Sequence, residues 1–567
     1  VAIKFTFWSA LYVVVAPLAL VVTRYGARVF LATAIGGYDP RMAISDVLRA
    51  LDAMGDPEIR SAMADGRLDV LIDSDALEDH ERILVTAAAA EYPSVEGFTF
   101  TEISPGEGGV SGKVEAGWFG AYGDAVRYTD SVYTEAWDGS PDAPPVLEPR
   151  RALNPTEVIG APSFAAYADH CLYDPESGYY STGQVRFGFD GHFWTYPQRM
   201  SPLFGWMVAE TIRTIFDEWT WAGSLDDVDP LTLLELGGGE GRLARDILEY
   251  VWAPEAQTWE PYRDGLRYVL GDRSAAMRAR QTDELVEFVE AGQAEVHSID
   301  ATALEWDGPF RGVVVANELL DALAHECLRV TREGEVVRVH VLDTPDGRRE
   351  LEVPISWGWF DLDGNAGPLP PDLEPYLARV LPMVDEIRDT GYEPADLYWA
   401  PSLPETIARL AEVLRRPGSL GVAIIIDYGD STIDGIDTDE PRLRVYGTDQ
   451  VHGSDPYRSP GLSDLTWDVD FGEVGRLARA HGLRVRFGGP QGALEVPPID
   501  LTSADALDRL VPGRFDEGAI TPAHALAAAL LLVTEFRAAS SGFHVMMLAA
   551  PEVPFPENAF GPRQRLG

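Results

Sequence analysis

The chain has 567 residues, 46% of them hydrophobic and 24% charged, enough for about two to four domains at a balance near that of soluble globular proteins. A stapled miniprotein is excluded, and the composition argues against wholesale disorder and against a polytopic membrane protein. Asp and Glu number 91 against 45 Lys and Arg, a formal net charge of −46, so the surface repels phosphate backbones and bare nucleic acid is not an expected partner.

Lys4 and Lys113 are the only lysines, and every other cation is Arg. Such an acid-rich, Lys-poor balance is expected of a halophilic cytoplasm, where molar salt shrinks the screening length to a few ångströms. Most acidic runs therefore read as solvated surface. Cys171 and Cys327 lie far apart without CxxC or Cys/His spacing, so neither a disulfide framework nor a metal site is expected, and a cytoplasmic compartment is the default.

An almost unbroken apolar stretch runs from Phe5 to Val22, flanked by Lys4, Arg24 and Arg28 and interrupted by Pro17. At about 18 residues it meets the lower limit of a bilayer-spanning helix, which would tie the chain to a membrane through residues 5–22. Alternatively, residues 1–38 are an over-extended translation, or the stretch is a buried helix. A cleaved signal fits less well, because Arg24 and Arg28 separate the apolar run from the small-residue site at Ala32–Ala34. Residues 39–150 read as an accessory α+β module: helical spacing over about 40–92, strand-like segments over about 97–136, and a Pro-rich linker ending near 150. Trp118, Phe119, Tyr122 and Tyr128 read as its core or a contact face, and no chemistry is visible in it.

From 151 to 567 strands and helices alternate, the pattern of an α/β domain with a parallel sheet. LTLLEL, RYVLGD, AEVHSI, GVVVAN and VAIIIDY are the strand candidates, and ligands are expected just beyond their carboxyl ends. The most specific local signal is Leu233-Leu234-Glu235-Leu236 followed by Gly237-Gly238-Gly239-Glu240-Gly241 and a helical run. A strand, a glycine-dense turn and a helix start let backbone N–H groups approach a ligand. A tight turn without ligand and a dinucleotide-binding turn share these features. Asp272, at the next strand end, can accept both ribose hydroxyls of an adenosine, whether of NAD or of S-adenosylmethionine. Glu235 inside the strand, and GGGEG in place of GxGxxG, tip the choice toward the latter.

With PSFAAYADHCLYDPESGYY, GHFWTYPQRMSPLFG, LLELGGGEGRLARDIL, VVVANELLDAL, VAIIIDYGD and RVYGTDQVHGSDPYRSPGLSDLTWDVDF in this order, the chain resembles the MidA-type family of S-adenosylmethionine-dependent methyltransferases over about residues 155–550. The resemblance implies an α/β, class I methyltransferase fold, a Rossmann-like, mostly parallel sheet with helical insertions, S-adenosyl-L-methionine as cofactor, and a protein-arginine acceptor, such as a subunit of a respiratory complex I-like enzyme. PEPYLARVLPMVDEIRD and SLPETIARLAEVLRR read as the inserted helices.

Carried over by position, Glu235, Gly237, Gly239 and Gly241 are the expected cofactor loop, Asp272 the ribose acid and Asp300 the partner of the adenine amino group. Gly238 stands where the family usually has Pro, and Asp272 where it has Glu. Asn317, Glu318 and Asp321 match the family motif at the fourth strand end and are the expected catalytic residues, Glu318 first. The chemistry agrees, since a guanidinium is cationic with delocalised lone pairs and needs carboxylates to orient it and accept a proton. Helix capping is the structural alternative for these acids. Tyr179, Tyr180, Thr195, Asp427, Tyr428, Arg444 and Asp464 are expected on the substrate side, Tyr179 and Tyr180 in a lid, with a structural ion pair as the alternative role for Arg444. His192 and Gln198 replace family acids, which weakens the arginine inference and leaves a catalytically weak, donor-binding scaffold as the second reading.

Overall fold

The computed structural model describes residues 146–183, 185, 202–225, 230–253, 256–331, 334–389, 396–430, 443–447, 452–453, 455–495, 543–556 and 560. Before these it describes the backbone of the strands Leu18–Thr23, Gly26–Leu31, Leu68–Asp73 and Phe98–Ile103 and two short pairs. In chain order the main elements are β1 (Val146–Arg151), α1 (Phe164–Tyr173), α2 (Leu203–Trp221), β2 (Leu231–Leu236), α3 (Arg242–Val251), β3 (Leu266–Asp272), α4 (Ala275–Glu284), β4 (Ala294–Ser298) and β5 (Arg311–Asn317). They continue as β6 (Glu326–Val330), β7 (Val336–Thr344), β8 (Gly347–Pro354), α5 (Leu373–Asp389), β9 (Leu397–Trp399), α6 (Leu403–Leu414), β10 (Leu420–Asp430), β11 (Leu443–Tyr446), β12 (Asp464–Trp467), α7 (Phe471–Ala480), β13 (Arg484–Pro490) and β14 (Phe543–Ala549).

Strands whose residues are apolar at every position must be covered on both faces, and here they are. In β5, Val313 and Val315 enter one core while Val314 and Ala316 enter the other; in β10, Val422, Ile424 and Ile426 alternate in the same way with Ala423 and Ile425. The first core is closed by Ile212, Ile215 and Phe216 of α2 with Ile247 and Leu248 of α3, the second by Ile407 and Leu410 of α6 with Val474 and Leu477 of α7. The sheet order is β4-β3-β2-β5-β10-β14-β13. Its first five strands are parallel, and β14 runs antiparallel to both β10 and β13. The strand order reverses between β2 and β5, and a crevice opens beyond their carboxyl ends, where ligands of such sheets bind.

Between β5 and β10 the chain inserts an antiparallel sheet, β9-β6-β7-β8, to which β1 adds as a parallel edge strand. Its core is Leu328, Tyr376, Val380, Leu397 and Trp399. α1 lies in a further core with Val339 and Val341 of β7 and Trp467 of β12.

The structure departs from the sequence reading in four places. Val146–Arg151, read as linker, is an edge strand, where its internal proline is tolerated. Leu403–Leu414, read as an insertion, is the crossover helix that covers the sheet. Leu68–Asp73, inside the stretch read as helical, is a strand paired with Gly26–Leu31 and Phe98–Ile103. Leu18–Thr23 forms a hairpin with Gly26–Leu31, so the stretch from Phe5 to Val22 is not one helix, and β-branched residues on both arms suit a strand. Among the described residues no helix is long and apolar enough to cross a membrane.

Candidate functional site

A cleft with about 1130 Å³ of atom-free space, its mouth included, lies over the carboxyl ends of β2, β3 and β5. Its donor-side wall is built from the first glycine turn. Gly237, Gly239 and Gly241 have φ of +69°, +54° and +89°, a region closed to most side chains, and a Cβ on Gly237 would stand 2.6 Å from Leu319 Cδ1. The turn is tied to the next strand, since the Gly237 N–H donates to the Gly271 carbonyl at 2.8 Å, and Gln281 Nε2 donates to the Gly239 carbonyl at 2.9 Å and to Asp272 Oδ2 at 3.1 Å. Asp272 Oδ1 accepts the Ser274 N–H at 2.8 Å. Burial raises the Asp272 carboxyl above its ordinary range, those two donors opposing it. Glu235, buried beside the turn, accepts the Tyr268 hydroxyl at 2.6 Å and is pushed up to about 7 by desolvation, which outweighs that bond.

The opposite wall is acidic. β5 ends at Asn317, and Glu318 follows with φ of +47°, the one non-glycine residue with positive φ among the described residues. For an L-residue this conformation costs ~1–2 kcal/mol, and the neighbouring bonds offset it. The Glu318 N–H donates to the Ile426 carbonyl at 2.8 Å, and the N–H groups of Leu320 and Asp321 donate to Asp427 Oδ2 at 3.0 and 3.2 Å. Asp321 Oδ2 accepts from Thr466 Oγ1 at 2.8 Å, and Tyr428 hydrogen-bonds the same threonine hydroxyl. Asp464 Oδ1 accepts the Tyr180 hydroxyl at 2.9 Å. Burial raises both Asp321 and Asp464, and Asp464 reaches about 8 with the nearby Asp321 charge adding to the effect. Asn317 Oδ1 and Asp321 Oδ1 are buried without a hydrogen-bond partner.

The roof is the segment after α1. Tyr173 and Tyr180 line the cleft and stack with ring centroids 5.6 Å apart. The Tyr173 hydroxyl donates to the Ala322 carbonyl at 2.6 Å, Ser274 Oγ donates to the Tyr180 carbonyl at 2.8 Å, and Arg280 bridges Glu240 to the carbonyls of Gly183 and Val185. One short segment thus touches both walls. Arg273 lies 3.6 Å over the Tyr173 ring and pairs with Asp169 and Asp300.

Of the residues expected at the site, Glu235, Gly237, Gly239, Asp272, Asp300, Asn317, Glu318, Asp321, Tyr180 and Asp464 line this cleft. Gly241 caps α3 beside it, and Asp300 Oδ1 caps a short turn through the Thr302 N–H at 2.9 Å. Four expectations need correcting. Tyr179 sits in the α1 core, fully buried, because the turn that carries it is bonded back onto the end of α1, its N–H donating to the Cys171 carbonyl at 2.9 Å. Asp427 is fully buried beneath the Glu318 turn and not on the wall. Tyr428 packs against Thr466 behind Asp321. Arg444 pairs with Asp468 at 2.6 Å and lies 5.2 Å over the Tyr428 ring, a structural role. Thr195, with His192 and Gln198, lies outside the described residues. Thr466, which the later family motif places on the substrate side, stands behind the wall on Asp321. The sequence reading missed Gln281 and Ser274, of which Ser274 could have been found, two residues beyond a strand end and at the start of a helix, whereas Gln281 carries no local signal.

A sheet of this order, with one antiparallel strand next to its edge, and a glycine turn facing a strand-end acid define a class I methyltransferase. An all-parallel dinucleotide-binding sheet lacks that reversed strand. Residues 211–488 match the model of a family of S-adenosyl-L-methionine-dependent methyltransferases. The chain is an S-adenosyl-L-methionine-dependent methyltransferase, and its motifs resemble those of the MidA type. Similar proteins include the mitochondrial protein arginine methyltransferase NDUFAF7 homolog of Drosophila melanogaster, 29% identical over 330 residues that cover 56% of this chain and 67% of that protein. The mitochondrial protein arginine methyltransferase NDUFAF7 of Rattus norvegicus is 29% identical over 59% of this chain and 70% of its own length. Among solved structures, a methyl transferase-like protein from Burkholderia thailandensis, bound to S-adenosyl-homocysteine, shares the fold with a TM-score of 0.50 at 20% identity, over 72% of this chain and 90% of its own.

Proposed function

We propose that the chain methylates the guanidinium of an arginine in a protein, such as a subunit of a respiratory complex I-like enzyme. The observation that carries this reading is the charge of the acceptor wall: Glu318, Asp321 and Asp464 line it, while the cleft-lining cations, Arg242 and Arg273, stand on the donor side and are paired with acids. Buried carboxylates crowded together are costly unless a cation joins them, and a guanidinium is a planar cation with donors matched to carboxylates.

The residues fit the donor. Gly237–Gly239 would lie against it, Asp272 would accept the ribose hydroxyls, Asp300 Oδ2 would face the adenine amino group, and the unpartnered Asn317 Oδ1, where the acidic wall begins, is a further acceptor. When bound, S-adenosyl-L-methionine supplies an electrophilic sulfonium methyl group. Glu318 and Asp321 would orient the guanidinium toward it, the positioning that makes the encounter effectively unimolecular. Glu318 takes the proton released as the nitrogen–carbon bond forms. Tyr173 and Tyr180 exclude water from above.

The test is tritium transfer from labelled S-adenosyl-L-methionine into a membrane extract of a strain lacking this gene, followed by amino-acid analysis. Methylarginine formed by the wild-type chain and strongly reduced, to a residual rate, in Glu318→Gln, with S-adenosyl-homocysteine affinity retained in both, is the expected result. Donor binding without transfer into any protein would favour the scaffold reading, and label on another residue type would displace arginine as the acceptor.

A further inference from the structure

Asp427 does not line the cleft, yet it lies beside it with none of its surface exposed. Its Oδ2 accepts the N–H groups of Leu320 and Asp321, and its Oδ1 accepts the Tyr428 N–H at 2.9 Å. The first two bonds join β10, at the residue after its last pairing with β5, to the turn after β5, and the turn begins with Glu318 in its left-handed conformation. Two strands that are paired through Asn317↔Ile426 are thus locked once more, immediately beyond the pairing, by a side chain. Such conformations persist only where the surroundings over-determine them, and they gather at working residues. The two acids on this turn, Glu318 and Asp321, are those that face the cleft.

We propose that Asp427 is a positioning residue: its buried carboxylate clamps the turn after β5 and thereby holds Glu318 in the left-handed conformation that presents its side chain to the acceptor. The proposal rests on the reading of Glu318 as the proton acceptor. Asp427 acts on the reaction only through that turn, so its removal should slow transfer without weakening donor binding, which depends on the opposite wall.

The experiment compares Asp427→Ala, Asp427→Asn, Glu318→Gln and the double variant Asp427→Ala/Glu318→Gln. Maximal rate and donor KM are measured by tritium transfer into the membrane extract described above, donor affinity by calorimetry with S-adenosyl-homocysteine, and folding by thermal denaturation. Asp427→Ala is expected to lower the maximal rate about 100-fold, the size of a misplacement near 1 Å, with donor KM and S-adenosyl-homocysteine affinity unchanged. Asp427→Asn keeps an oxygen for Leu320 and Asp321 and should recover part of the rate. In the Glu318→Gln background Asp427→Ala should cause no further loss, the non-additivity of residues that act as one unit.

A wild-type rate in Asp427→Ala, a full additional loss in the double variant, or a parallel loss of donor affinity would overturn the proposal. If the alanine variant does not fold, the isosteric Asp427→Asn decides: a rate at or moderately below that of the wild type with unchanged donor affinity supports the clamp, whose oxygen it keeps, and a rate as low as that of Glu318→Gln, or weakened donor affinity, overturns it. An active Glu318→Gln would instead overturn the reading beneath it, which separates the two failures.

Discussion

Glu235, one residue before the end of the donor-side strand, is almost wholly buried, with one hydroxyl as its partner. Its carboxyl stands at about 7 in the folded protein against an ordinary value of 4.5, so the folded state holds the proton more tightly than the unfolded chain. The sign follows from linkage: its contribution to stability is fully present below about 4.5, and is lost as pH rises through about 7. Glu235→Gln keeps an oxygen for Tyr268 and carries no charge. The variant should match the wild type at pH 4 and exceed it at pH 8 by roughly 3 kcal/mol, since each tenfold change in proton affinity is worth about 1.4 kcal/mol. Denaturant unfolding of ligand-free protein across that range checks it, and a stability difference independent of pH would show that Glu235 is not held this way. For single residues the sequence was legible where chemistry sits at a strand end, as at Asp272, Asn317 and Glu318. It was not legible at Asp427 or Tyr179, where which side of the backbone a residue faces depends on packing from distant segments, nor at Arg444, whose partner Asp468 belongs to another element.

Elements constrain one another through backbone contact as well as side chains. Gly312 in β5 has φ of +146°, and a Cβ there would stand 1.8 Å from the Thr232 carbonyl oxygen of the neighbouring β2. Neither strand can retreat, since each is hydrogen-bonded on its other side. Gly312→Ala should therefore destabilise the protein by about 3 kcal/mol or more, the range of backbone strain and core overpacking together. A fall in melting temperature of only a degree or two would mean that the sheet absorbs a methyl group here. The parallel strands are readable from their apolar runs, whereas the antiparallel insertion is absent from the sequence reading. Val336–Thr344 does alternate, and Pro345-Asp346 joins it to Gly347–Pro354 in a two-residue hairpin. That signal is local, but it is masked where helices are expected between β5 and β10. Leu403–Leu414 is recognisable as a helix yet misplaced, because periodicity reports an apolar face and not what covers it.

For the whole molecule, six ordered motifs carry the class, and the sheet topology and the family match agree with it. What the motifs do not convey is that a single roof segment, Tyr173 to Val185, is bonded to both the donor wall and the acceptor wall. That arrangement arises from contacts between residues far apart in the chain, and no spacing rule encodes it. The proposed chemistry requires the donor's reactive carbon to point from the glycine turn toward Glu318 and Asp321. A crystal structure of the full chain with S-adenosyl-homocysteine decides whether it does. The ribose hydroxyls should lie on Asp272 and the sulfur should face the carboxylates of Glu318 and Asp321; a sulfur turned away from both acids, or a nucleoside bound outside this cleft, would contradict it.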